Sequence, residues 1–236
     1  MELVISEFET KVEEINEYFS FIETTTHLRL STNHERIQVS ITVQNVLKAN
    51  MFLLLYNLVE SSFKNALEKI CIQISSDELR YKDVTPEIKK LWIEKEYKNF
   101  ENLAIPKHTQ KSEVIMKKID DIANDIIKIE FYRNSQKTKN DNISGNVDAR
   151  EIKKINEKYG AKLDTEPDID TNSLLTVKSK RNNLAHGDET FSECGRDYTF
   201  EKLEKIKDES IIYMRFILSH IQDFIHNQKY KFQEEN

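Results

Sequence analysis

The sequence predicts an all-α protein, a bundle of about four long helices with extra short helices inserted in its middle. Three observations carry this. The 236 residues hold 4 Gly and 3 Pro, too few turn formers for a β-sandwich or barrel. Four glycines are also too few for the tight turns of a Rossmann or P-loop domain. Apolar residues recur at three- and four-residue steps near both ends, and Met51–Phe63 is apolar almost all round, as a central bundle helix must be.

In chain order, Leu3, Val4, Phe8, Val12, Ile15, Phe19 and Ile22 mark a first helix, which the β-branched cluster Thr24–Thr26 is expected to end. Ser31–Ile41 carries no clear period and reads as a connection. A long helix follows from about Ile41 to Ser75 on Val43, Val46, Leu47, Leu54, Leu58, Phe63, Leu67, Ile70 and Ile74, with a break at Ser76 and Asp77. Pro86 suits the first turn of a helix running on through Ile88–Tyr97, in which Trp92 is a packing residue. Pro106 interrupts the chain, and Ser112–Phe131 is a further amphipathic helix on Val114, Ile115, Ile119, Ile122, Ile126 and Ile127. Arg133–Asp148 is a polar loop or insertion; Asp148–Tyr159 is a short helix closed by Gly160; Lys162–Asp170 is an acidic loop. Asp170 or Thr171 caps a helix through LLTVKSKRNNLAH that stops at Gly187. DETFSECGRDY is a loop, and Thr199 caps a long last helix from Phe200 through Ile225. Residues 1–236 make one domain.

Charge and composition narrow the function. With 35 Lys and Arg against 41 Asp and Glu, the chain carries a net charge of −6 and a pI near 5.6, which speaks against non-specific nucleic-acid binding over the whole surface. Only a local basic patch can answer that. The start, MELVISEFETKVEEINEYF, is acidic and lacks a leader's apolar core, and the longest apolar run, Met51–Tyr56, is far short of a membrane span. Cys71 and Cys194 are expected as free thiols in a reducing cytosol, which makes the protein cytoplasmic. His27, His34, His108, His220 and His226 have no ligand spacing with a second His or Cys, so no metal and no cofactor is expected.

The chemistry is concentrated in RNNLAHGD, Arg181–Asp188. Asn182 and His186 lie four apart and share a helix face. Arg181 and His186 lie five apart, but Gly187 ends the helix, so the last turn can bring the imidazole toward the guanidinium. Leu184 and Ala185 are expected to anchor that turn on the core. Cutting RNA without metal needs a group to take the 2′-OH proton, one to protonate the leaving 5′-oxygen, and a cation on the phosphate. A histidine, intrinsic pKa about 6.5, transfers protons near neutral pH. Arginine offers a permanent charge on a fork that fits phosphate oxygens. The amide of Asn182 can fix the imidazole or bond the ribose or phosphate. A helix C-terminus also attracts a histidine and an arginine for purely structural reasons.

Arg181-x4-His186 with a polar Asn182 resembles the R-x4–6-H motif of HEPN domains. These are all-α bundles of prokaryotic toxin–antitoxin, abortive-infection and restriction-linked systems, many of them metal-independent endoribonucleases. The apolar helix ending in NLVESSF, the RNNLAHG turn, and GRDYT leading into the last helix are together similar to the MAE-like HEPN branch. The likeness covers about residues 41–75 and 170–230 and leaves an unmatched insert at about 80–165.

The resemblance implies an endoribonuclease serving as a toxin or antiviral-defence effector. Its motifs would face each other across a homodimer, so that both histidines reach one cleft. Arg181 would hold the phosphate, His186 would be the general acid and base, and Asn182 would position one of them. An antitoxin or regulatory protein is the expected partner. Some HEPN toxins carry a modifiable tyrosine two residues after the histidine, where this chain has Asp188. Glu60 is costly to bury unpaired, so it is expected to orient Arg181 or His186, or else to make an ordinary ion pair or lie on an exposed face, with Asn57, Ser61 and Lys64 beside it. Lys178 and Lys180, with Arg133, Lys137 and Lys139 on the polar loop, could lead phosphates inward. The alternative is a non-catalytic helical module that binds RNA, a nucleotide or a partner protein.

Overall fold

The structure is a computed structural model that describes residues 1–27, 29–32, 35–100, 111–129, 131 and 146–233. Its elements are α1 (Glu2–His27), β1 (Arg29–Thr32), β2 (Glu35–Gln38), α2 (Ile41–Ser76), a 3-10 turn (Tyr81–Asp83), α3 (Pro86–Phe100), α4 (Lys111–Asn124), α5 (Ala149–Lys158), α6 (Asn172–His186), α7 (Phe191–Arg196) and α8 (Phe200–His226). Among the described residues the fold is all-α apart from one antiparallel hairpin, in register from Arg29↔Gln38 to Thr32↔Glu35. A plain connection is expected there, because strands of four residues are too short to display an alternation. The chain forms two compact units, one of Met1–Asn65, Ile143–Ile152 and Glu166–Leu218, the other of Ala66–Asn142, Lys153–Thr165 and Ser219–Asn236. Among the described residues no helix is long and apolar enough to cross a membrane.

The first unit holds the candidate site. The α1 stripe Val4, Phe8, Val12, Ile15, Phe19 and Ile22 is buried, each residue at 5% exposure or less. At about 1.5–3 kcal/mol per buried side chain, that stripe alone outweighs the helix's intrinsic propensity. Leu3, expected on the stripe, is instead 63% exposed, because it lies about 100° round the helix from buried Val4. The helix ends at His27, one residue past the threonine cluster expected to end it. Thr24 and Thr25 turn their hydroxyls back to the carbonyls of Ser20 and Ile22, which satisfies them inside the helix. Ala49, Met51, Phe52, Leu55 and Tyr56 of α2 have no exposed surface, so the central role expected of this helix is met. Arg215 of α8 grips Glu9 of α1 with two hydrogen bonds, at 2.8 and 2.6 Å.

In the second unit α3 begins at Pro86 as expected, and Trp92 is buried as a packing residue. α4 ends at Asn124, short of the expected Phe131. Beyond it Ile126 forms a bridge with Arg80, Ile127 donates its N–H to the Leu79 carbonyl, and Ile129 donates to the Ser75 hydroxyl. Hydrogen bonds from outside thus take over where helical periodicity still continues, and Ile127 and Ile129 are buried outside any helix. Met116 and Ile119 of α4 stay exposed. Gly160 closes α5 at φ 77°, a left-handed turn that glycine adopts without strain. Pro106 lies outside the described residues.

Candidate active site at the end of helix α6

Helix α6 starts on Asp170, whose carboxylate accepts from the N–H and the side-chain amide of Asn172, and it buries Leu174, Val177 and Leu184. Gly187 ends it at φ 78°, its N–H and that of Asp188 both directed at the Asn183 carbonyl. Ala185, expected to help Leu184 anchor this turn, is exposed. At about 100° per residue, Ala185 points about 100° round the helix from Leu184.

Arg181 is half-buried. Its guanidinium carbon lies 4.4 Å from the centre of the Tyr56 ring of α2, and its Nη1 donates to the Asn182 side-chain oxygen at 2.9 Å. Tyr56 is fully buried, and its hydroxyl accepts from the Val147 N–H at 3.5 Å. Among the described residues no carboxylate pairs with Arg181. That sets it apart from its neighbours on the helix, because Lys178 is bound to Asp148, and Lys180 to both oxygens of Glu189 at 2.8 and 3.0 Å. Lys178 and Lys180, expected to draw in phosphates, are therefore each held by an acid of the same chain.

His186 is exposed at the end of α6, and among the described residues nothing hydrogen-bonds its ring. Neither it nor Arg181 is sunk in the core. Within one chain the structure makes Arg181 and Asn182 a hydrogen-bonded pair, and among the described residues no hydrogen bond joins His186 to either.

Glu60, Asn57 and Lys64 are brought together, but elsewhere. They line a pocket of about 410 Å³ with Lys11, Glu14 and Ile15 of α1 and Leu54, Leu58 and Ser61 of α2. Glu60 takes Lys64 at 3.0 Å, an i,i+4 ion pair, while Lys11 donates to the Ser61 hydroxyl at 2.8 Å. Among the described residues the contacts of Arg181 and His186 do not include Glu60, which makes the ion pair with Lys64. Arg133, Lys137 and Lys139 lie outside the described residues.

The charges around α6 are tightly matched. Burial pushes the Asp148 carboxyl upward, but the Lys178 ammonium and the Glu151 N–H outweigh it and hold Asp148 below the usual carboxylate range. Burial works against the Lys180 ammonium, and Glu189 more than restores it, so Lys180 stays above its ordinary value. Its Nζ also lies 5.6 Å from the Tyr198 ring centre. Burial first, then Glu189, pushes the Cys194 thiol up to about 11, far from the thiolate a cysteine nucleophile needs. Among the described residues no group of three or more His, Cys, Asp or Glu side chains is placed to hold a metal ion.

Sequence reasoning missed Tyr56, Asp148 and Glu189. Tyr56 had one signal, as the only polar-tipped side chain in the apolar run Met51–Tyr56.

One family model, described as HEPN_MAE_28990-like HEPN, matches residues 2–230. It therefore takes in residues 80–165, which carry no legible likeness of their own. No curated protein and no solved structure matches the chain.

Proposed function

The chain belongs to the MAE_28990-like HEPN family, and from that premise we propose that it is a metal-independent endoribonuclease working as a homodimer in a toxin or antiviral-defence role. The observation that carries this reading is the state of Arg181. A guanidinium held by an aromatic ring and a neutral amide, with no carboxylate among the described residues, keeps its charge for an anion from outside.

The steps follow from the residue types. Arg181 takes the non-bridging oxygens of the scissile phosphate, where negative charge grows as the 2′-oxygen attacks. One His186 accepts the 2′-OH proton, and the His186 of the second copy protonates the departing 5′-oxygen. The products are a 2′,3′-cyclic phosphate and a 5′-hydroxyl. Asn182 accepts the Arg181 Nη1–H, which supports a positioning role for that amide. Among the described residues no hydrogen bond joins Arg181 to His186 within one chain, and a second copy would supply the second histidine that acid-plus-base work needs.

A second reading, a non-catalytic module binding RNA, a nucleotide or a protein, draws support from the net charge of −6 and from the acids that hold Lys178 and Lys180. RNA cleavage by purified wild type and His186→Ala, in EDTA with end-group analysis, separates the two. Cyclic-phosphate ends from wild type alone support the nuclease. RNA bound but uncut by both supports the module, and equal cutting by both refutes the role of His186.

A further inference from the structure

We propose that Tyr56 is a positioning residue, a buried ring that seats the Arg181 guanidinium and leaves its N–H fork open for phosphate. This rests on the reading of Arg181 as the phosphate-binding group.

The inference comes from how a cation can be held. A carboxylate would hold Arg181 firmly, but its oxygens would occupy the same in-plane donors that phosphate needs. An aromatic face attracts the cation through its quadrupole and accepts none of those donors. At 4.4 Å from the ring centre, Arg181 is well inside the range of about 6 Å for this attraction. Of its five donors, one N–H goes to Asn182. The ring is itself fixed, with no exposed surface and a hydroxyl that meets the Val147 N–H. Lys178 and Lys180, two short steps along the same helix, are held the other way, by acids. The difference in partner separates the cation kept for a ligand from those committed to the fold.

The test is a double-mutant cycle on binding of a 2′-O-methyl RNA oligonucleotide, which lacks the attacking hydroxyl and is not cut. Tyr56→Phe keeps the ring and should bind within about twofold of wild type. Tyr56→Leu should bind about five- to tenfold more weakly, the worth of a partly desolvated cation–π contact. On an Arg181→Ala background the same Tyr56→Leu change should cost nothing further. An equal loss on both backgrounds, or a Phe variant as weak as Leu, would overturn the proposal, because a merely structural role predicts those results.

A readout without RNA keeps the two readings apart. The Arg181 side-chain NMR signals should carry a ring-current shift in wild type and Tyr56→Phe and lose it in Tyr56→Leu. Absence of that shift in wild type overturns the platform itself. With the shift present, Arg181→Ala binding as tightly as wild type refutes the phosphate-binding reading, and the positioning role with it.

Discussion

Gly195→Ala puts a methyl group where α7 meets α2. A Cβ there would lie 1.8 Å from the Asn45 carbonyl oxygen, 2.5 Å from its carbon and 2.8 Å from its Cα. All three are backbone atoms of α2, so no side chain can swing aside. Real Cβ atoms essentially never approach closer than 3.0 Å, so α7 must retreat by at least the 1.2 Å between 1.8 and 3.0 Å. Alanine gains about 1 kcal/mol of helix propensity over glycine. Against it stands overpacking of rigid backbone, about 3 kcal/mol or more. A shifted α7 also strains the capping box at Thr190 and Glu193, worth about 1 kcal/mol, and the contact of Tyr198 with Phe52 at 4.8 Å. The clash wins, with a net loss of about 2–4 kcal/mol. At about 2–4 °C per kcal/mol for a chain of this size, the melting temperature should fall by roughly 4–16 °C. Far-UV circular dichroism on heating and urea titration measure it. Gly187→Ala is the control, since a Cβ there meets nothing within 4 Å and the cost is left-handed strain alone, about 1–2 kcal/mol. A Gly195→Ala protein as stable as wild type, or more stable than Gly187→Ala, would refute the reasoning.

Three further outcomes follow from the same geometry. Arg181→Lys keeps the charge but loses the planar fork, so cleavage should fall by about tenfold or more with melting unchanged; full activity would mean that charge alone suffices. Asp148 has its folded pKa depressed, so its contribution is present above the unfolded value of about 3.9 and is lost as pH falls through the folded value. Wild type should therefore lose stability below about pH 4, and Asp148→Asn, weaker at neutral pH, should lose less over that range in melts at stepped pH. In a Cys71→Ala background, Cys194 should resist a thiol reagent at pH 8 while native and react at once in urea, because burial disfavours its thiolate; rapid native reaction would contradict the packing of α7.

What the sequence reveals and what it hides divide along the reach of the interactions involved. The extent of α2, the start of α3 at Pro86, the stop at Gly187 and the cap by Thr199, which accepts from the Lys202 N–H at 3.3 Å, all depend on neighbours within a few residues. They were legible. The stop of α4 depends on Leu79 and Ser75, remote in sequence, while Ile126 and Ile127 continue the helical pattern past it. The six-residue α7 was hidden by its loop-like composition, although Thr190-x-x-Glu193 is a readable capping box. Gly195 was read only as part of a loop, and its real constraint is the backbone of α2. The site divides the same way. Arg181, Asn182 and His186 sit within one helical turn and a half and could be read together. Tyr56 is buried beneath Arg181 from a distant helix, and Asp148 turns Lys178 from a free cation into a pinned one.

An acidic chain can bind RNA only where a positive charge is locally left over, and on α6 that reduces to a single residue. Lys178 and Lys180 lie beside Arg181 in sequence, yet each faces a carboxylate that already balances it. Counterion release on binding single-stranded RNA changes the slope of log K against log salt by about 0.7 for each phosphate neutralised. Arg181→Ala should therefore flatten that slope by about 0.7 per subunit. Lys180→Gln should leave it nearly unchanged, because Glu189 rather than phosphate is the partner it loses. Binding of 2′-O-methyl RNA from about 50 to 300 mM salt measures both. The opposite ranking would mean that RNA displaces Glu189 from Lys180, and that the basic run, rather than the seated arginine, is what meets the phosphates.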